Sequence, residues 1–195
     1  MDTSSPIATV AVFGSSILRE DDPAYLEIRQ LGEELARARL AVMTGGYDGA
    51  MAAASRGAHE AGGHVIGVTV EMFEKRGPVN SWVHERIHTP SLFARLEHLM
   101  QIADAFVVVT GSIGTLTELF LAWTVVGVSG PPYAPIVLMG AHWREWLELH
   151  RRPEFVPHHL FQYVQVADTP AEAARLVSEG LQRVREAERS EAGRS

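Results

Sequence analysis

The stretch Ala105-Phe106-Val107-Val108-Val109-Thr110-Gly111-Ser112-Ile113-Gly114-Thr115-Leu116-Thr117-Glu118 decides how this chain is read. Five apolar, mostly β-branched residues predict a buried strand over 105–109, and the run breaks at Gly111. A helix is predicted after Thr115, continuing Leu119-Phe120-Leu121-Ala122-Trp123-Thr124-Val125-Val126, apolar on all sides and therefore buried. A strand that turns through glycines straight into a helix is half of a β-α-β unit.

The same grammar extends in both directions. Upstream, Ile7 to Phe13 predicts a strand ending at Gly14-Ser15-Ser16, followed by an amphipathic helix over Pro23 to Arg39. Leu40 to Thr44 is the next strand, closing on Gly45-Gly46, and an alanine-rich helix spans Gly49 to Ala61. The strand His64 to Val70 leads into a long loop, then a helix over Ser91 to Ile102. Downstream, strands at Pro135–Met139 and Tyr163–Val166 alternate with helices at Trp143–His150 and Pro170–Val184. Strands joined by crossover helices require a parallel sheet covered on both faces. The fold class is α/β, a single Rossmann-like doubly wound sheet occupying residues 1–188. The polar residues from Arg185 onward read as a frayed tail, with 189–195 outside the domain.

Composition narrows the chemistry. With 195 residues, 46% hydrophobic and 21% charged, the chain is long enough for one self-sufficient core. There are no cysteines, which excludes disulfides, thiolate metal sites and thiol nucleophiles. The formal charge of −7 opposes nucleic acid and anionic membranes as partners. Lys75 is the one lysine, and it lies in no G-x-x-x-x-G-K-[ST] loop, so neither a P-loop nor a pyridoxal-phosphate site is expected. No basic-then-apolar leader opens Met1 to Pro6, and Leu119 to Val128 is about half a membrane span. A cytoplasmic location is the expectation.

Three glycine-bearing loops follow predicted strands: Gly14-Ser15-Ser16, Gly45 to Gly49 with Met51 just beyond, and Gly111-Ser112-Ile113-Gly114-Thr115. In doubly wound sheets such loops meet helix N-termini, whose free N–H groups favour an anion. None carries G-x-G-x-x-G, so a dinucleotide enzyme is not indicated. Tight turning alone would also use glycine, but three loops together point to a phosphate-bearing small molecule. Two charges stand in apolar surroundings. Glu118 is the one charged residue between Asp104 and Arg144, although Thr115-Leu116-Thr117-Glu118 also fits a capping box. Arg95 falls on a stripe with Leu92, Leu99 and Ile102, as an anion or carboxylate partner or as a side chain snorkelling to the edge. His84 with His88, and His158 with His159, read as ordinary histidines rather than metal ligands.

The string Thr110 to Glu118 resembles the P-G-G-x-G-T-x-x-E signature of the Lonely Guy (LOG) family, long labelled lysine decarboxylases, with Thr110 and Ser112 as departures. Val12-Phe13-Gly14-Ser15-Ser16, Gly45-Gly46-Tyr47-Asp48-Gly49-Ala50-Met51 and Gly62-Gly63-His64-Val65-Ile66-Gly67-Val68 resemble further family segments in order. Arg95 stands nine residues before Asp104-Ala105-Phe106, in the place of the family's active-site arginine, and Leu96 replaces a usual lysine. The resemblance implies a homodimer or dimer of dimers that needs no metal or other cofactor. It implies hydrolysis of the N-glycosidic bond of N6-modified AMP (cytokinin nucleotides), giving free base and ribose 5-phosphate. Arg95 and Glu118 would be catalytic, and Gly111, Gly114 and Thr115 would cradle the phosphate. The rival is a non-catalytic nucleotide or cofactor carrier on the same fold, similar to molybdenum-cofactor carriers. Leu119 to Val128, more apolar than one helix on one sheet requires, would face a second subunit or thicken the core.

Overall fold

The computed structural model describes residues 7–129 and 132–193, so the reading of Met1 to Pro6 and the end of the proposed tail lie outside the described residues. Seven strands form one parallel sheet in the order β4-β3-β2-β1-β5-β6-β7. They are β1 Thr9–Phe13, β2 Ala41–Thr44, β3 Val65–Val70, β4 Glu85–Thr89, β5 Ala105–Val108, β6 Ile136–Met139 and β7 Val164–Ala167. The helices are α1 Pro23–Arg37, α2 Ala50–Glu60, α3 Leu92–Ile102, α4 Ile113–Ser129, α5 His142–His150 and α6 Pro170–Ala192. The doubly wound reading holds.

Strand alternation sends Val10 and Val12 to one face and Ala11 and Phe13 to the other, so each face has its own core. One core receives α1, α2 and α6; the other receives α3, α4 and α5. The alanine-rich α2 packs backbone to backbone on α1: a Cβ at Gly57 would stand 1.7 Å from the Arg29 carbonyl oxygen, and one at Gly32 2.1 Å from that of Ala54. Small residues are what permit this approach.

Three features depart from the sequence reading. The long loop after Val70 contains a short 3-10 turn, Glu71–Arg76, and then β4. This strand is the sheet edge, and its sequence Glu-Arg-Ile-His-Thr is largely exposed, so it lacks the apolar run that marks the central strands. The last helix continues past Val184 to Ala192 instead of fraying. Beyond its buried face, pairs such as Gln182 Nε2 donating to Glu186 Oε1 at 2.8 Å and a run of helix-forming residues sustain it. Finally, α4 starts at Ile113, two residues before Thr115. It buries Leu119, Ala122, Trp123 and Val126 and leaves Phe120 38% and Val128 78% exposed.

Among the described residues no helix is long and apolar enough to cross a membrane.

Candidate active site

The strand order reverses between β1 and β5, and the loops leaving β1, β2 and β5 converge there. Backbone hydrogen bonds stitch them together: Ser15 N donates to Thr110 O at 2.9 Å, and Ala50 N donates to Ser15 O at 2.7 Å. Gly49 adopts φ 69°, and a Cβ there would stand 2.3 Å from Ser15 O, so only glycine closes this joint.

The loops enclose a cleft of about 580 Å³. Nine of the residues singled out from sequence line it: Gly14, Ser16, Gly45, Met51, Arg95, Ser112, Gly114, Thr115 and Glu118. Ser15, Gly46, Gly49 and Gly111 are not part of its lining: Gly46 and Gly49 are buried, whereas Gly111 is exposed. Ser15 and Gly49 form the joint just described. Gly46 receives the bond from Asn80 N at 2.9 Å and donates to Thr44 Oγ1 at 3.1 Å. Gly111 makes room for Thr115, whose Oγ1 would be 2.1 Å from a Cβ at that position.

Arg95 is 5% exposed and does not snorkel. Its Nε donates to Val68 O at 2.9 Å, and its guanidinium lies over the Phe73 ring, 5.5 Å from the centroid. Gly45 is what admits it, since a Cβ there would stand 1.9 Å from Arg95 Nη2. Burial pulls the Arg95 pKa below its ordinary value, opposed by Glu118 and Tyr47, and the guanidinium remains cationic. Glu118 shares the cleft. Burial raises its carboxyl pKa to about 7, against the attraction of Arg95. Among the described residues its carboxylate makes no hydrogen bond. The capping box therefore does not form, because Thr115 is already inside α4 and the first helical bond runs from Leu116 N to Ser112 O at 3.0 Å.

The start of α4 opens into the same space. A helix leaves its first N–H groups without partners, and these belong to Ile113, Gly114 and Thr115. Ser112 keeps a negative φ, so its replacement of a glycine costs no backbone strain. Gly114 needs no positive φ, and a Cβ there would meet nothing within 4 Å. The folded chain itself therefore does not require glycine at 114.

Sequence reasoning passed over Tyr47, Asp48 and Phe73, which also line the cleft. Tyr47 and Asp48 lie inside the second glycine loop, so their position was a usable signal. Phe73 comes from the segment read as a featureless loop and gave none. The histidine pairs are placed elsewhere: His84 stacks between His59 and His64, and His158 opens a 3-10 turn.

Residues 51–177 match the family described as "Possible lysine decarboxylase". The chain belongs to the LOG family. Among curated LOG-family relatives, a cytokinin riboside 5'-monophosphate phosphoribohydrolase of Mycobacterium tuberculosis is 33% identical over 136 residues, covering 67% of this chain and 70% of that protein. A pyrimidine/purine nucleotide 5'-monophosphate nucleosidase of Escherichia coli K12 is 30% identical over 197 residues, covering 91% of this chain. The chain spans only 41% of that longer enzyme. Among solved structures, a molybdenum cofactor binding protein from Rippkaea orientalis superposes with a TM-score of 0.72 at 23% identity, covering 90% of this chain and 98% of that one, a likeness of fold.

Proposed function

We propose that this LOG-family chain is a nucleoside 5'-monophosphate phosphoribohydrolase, which hydrolyses the N-glycosidic bond of AMP, N6-modified AMP included, to free base and ribose 5-phosphate. The observation that carries the reading is a spacing on α4. Gly114, at the open helix start, and Glu118 are one turn apart in the same cleft, about 6 Å along the axis. That is the reach of a ribose 5-phosphate from phosphorus to C1′. A phosphate held by the N–H groups at 113–115, beside Gly111, places the anomeric carbon next to Glu118.

Breaking the bond develops positive charge at C1′. The Glu118 carboxylate stabilises that charge and takes a proton from the attacking water, and a pKa near 7 suits a base that works at neutral pH. Arg95, fixed by Val68 and Phe73, holds the ligand and counters charge on the phosphate or departing base. No step of this scheme needs a metal. We read the cytoplasm as the working compartment. The exposed Phe120 and Val128 on α4 fit a homodimer or dimer of dimers.

The test is incubation of the protein with AMP and N6-isopentenyl-AMP, with free base followed by chromatography. Wild type is expected to release base, and Glu118→Gln to lose roughly 10²- to 10⁴-fold in rate while still binding nucleotide. Binding without release by the wild type would instead favour a non-catalytic carrier, on a fold that this chain shares with the molybdenum cofactor binding protein of Rippkaea orientalis.

A further inference from the structure

Asp48 is a carboxylate that the hydrolytic scheme leaves unused. It lines the cleft from the loop after β2, is exposed, and makes no hydrogen bond or ion pair among the described residues. Its neighbours are tied down. Tyr47 Oη donates to Val70 O at 2.9 Å and accepts from Val70 N at 3.1 Å, while Asn80 Nδ2 donates to Tyr47 O at 3.0 Å. On its other side stands the Gly49–Ser15 joint. Gly77 adjoins the carboxylate, and a Cβ there would stand 3.6 Å from Asp48 Oδ2, an ordinary contact. A fixed loop thus holds out an acid with both oxygens free.

The position of this acid limits what it can recognise. It cannot sit against the phosphate, which like charge forbids, and the anion end of the cleft belongs to the start of α4 after β5. β2 and β5 flank β1, so their loops stand about two strand spacings apart, about 10 Å, with the sugar between them. In doubly wound dinucleotide-binding sheets an acid following the strand beside β1 binds a ribose hydroxyl, and Asp48 likewise follows β2. A carboxylate offers two acceptor oxygens and no donor, which matches the paired O–H donors of a cis-diol.

We infer that Asp48 is a specificity-determining residue that accepts hydrogen bonds from the ribose 2′- and 3′-hydroxyls of the nucleotide. It selects ribonucleotides over deoxynucleotides and repels nucleotides phosphorylated at the 2′ or 3′ position. This inference rests on the nucleotide-hydrolase reading of the cleft.

The test compares AMP with 2′,3′-dideoxy-AMP in wild type and Asp48→Ala. The intrinsic reactivities of the two sugars cancel in the ratio of ratios. Asp48→Ala is expected to lower kcat/KM for AMP roughly 10- to 100-fold, the range of a hydrogen bond to a charged group, and to leave the dideoxy substrate within about three-fold. An equal loss on both substrates, or none on either, overturns the inference. So does a change confined to preference among bases, which would move Asp48 to the base. The exposed, unpartnered position means that the variant should melt as the wild type does. If the wild type binds both nucleotides and cleaves neither, hydrolysis fails and the same comparison is read in Kd, where loss of the AMP preference still upholds the diol contact. Binding of neither nucleotide overturns both.

Discussion

Replacing Glu118 by Gln should stabilise the folded chain above neutral pH while slowing hydrolysis, and the size of the gain follows from burial. In the folded protein the carboxyl pKa is raised to about 7, and in the unfolded chain it returns to the ordinary 4.5. Below 4.5 both states carry the proton and Glu118 contributes no pH-dependent term. Between 4.5 and about 7 the folded state binds the proton more tightly, so stability falls as pH rises, by up to ~1.4 kcal/mol per pH unit. Above 7 the carboxylate is ionised in both states, and the accumulated cost levels off at about 3 kcal/mol. Arg95 already opposes this cost, since its attraction is one of the causes that set the value near 7. Glutamine fills the same space and has no charge to bury. The measurement is urea unfolding of wild type and Glu118→Gln at pH 5 and pH 8, at fixed protein concentration. The stability difference between the two proteins is expected to move by about 2–3 kcal/mol in favour of the variant between those pH values. A difference that does not change with pH would refute the claim that Glu118 is ionised at a desolvation cost, and with it the account of Glu118 as a poised base.

Further outcomes follow from the same geometry. If Glu118 acts as the base, kcat/KM for AMP should fall about ten-fold per pH unit below about 7, and a flat profile from pH 5 to 8 would count against that role. Gly114→Ala should leave the melting temperature unchanged or slightly higher, since its Cβ meets nothing within 4 Å, yet weaken AMP binding at least ten-fold by calorimetry. Gly57→Ala should do the reverse: a Cβ placed 1.7 Å from the Arg29 carbonyl oxygen should cost about 3 kcal/mol in urea unfolding, with the cleft untouched in whatever protein remains folded. Arg95→Lys keeps a charge but loses the Nε bond to Val68, and should reduce kcat/KM roughly 100-fold without changing which nucleotide is preferred.

Much of this protein is written locally. Alternating apolar runs with glycine breaks were enough to read the doubly wound sheet, because a strand buried on both faces and an amphipathic helix differ in period. The same logic found Arg95 and Glu118, since a charge inside an apolar stretch must be accommodated somewhere. It failed at β4, whose edge position removes the burial that makes a strand recognisable, and at the end of α6, where polar side chains sustain a helix without an apolar stripe.

What only tertiary structure decided is which of several local readings applies. Thr115 to Glu118 fits a capping box as a string, but α4 begins at Ile113, so the glutamate is left to the cleft. Ser15, Gly46 and Gly49 share their loops with cleft residues, yet the packing of one loop on another turns them into joints. The place of Asp48 inside a glycine loop was legible, but that its carboxylate stands without a partner in the cleft was not. The sequence by itself determined the central strands and their helices, their order and the residues with no comfortable place in a core, because propensity and periodicity act over a few neighbours. The roles depended on contacts between residues far apart in the chain, such as Arg95 with Val68 and Ser15 with Thr110, which exist only once the strand order brings three loops to one edge of the sheet.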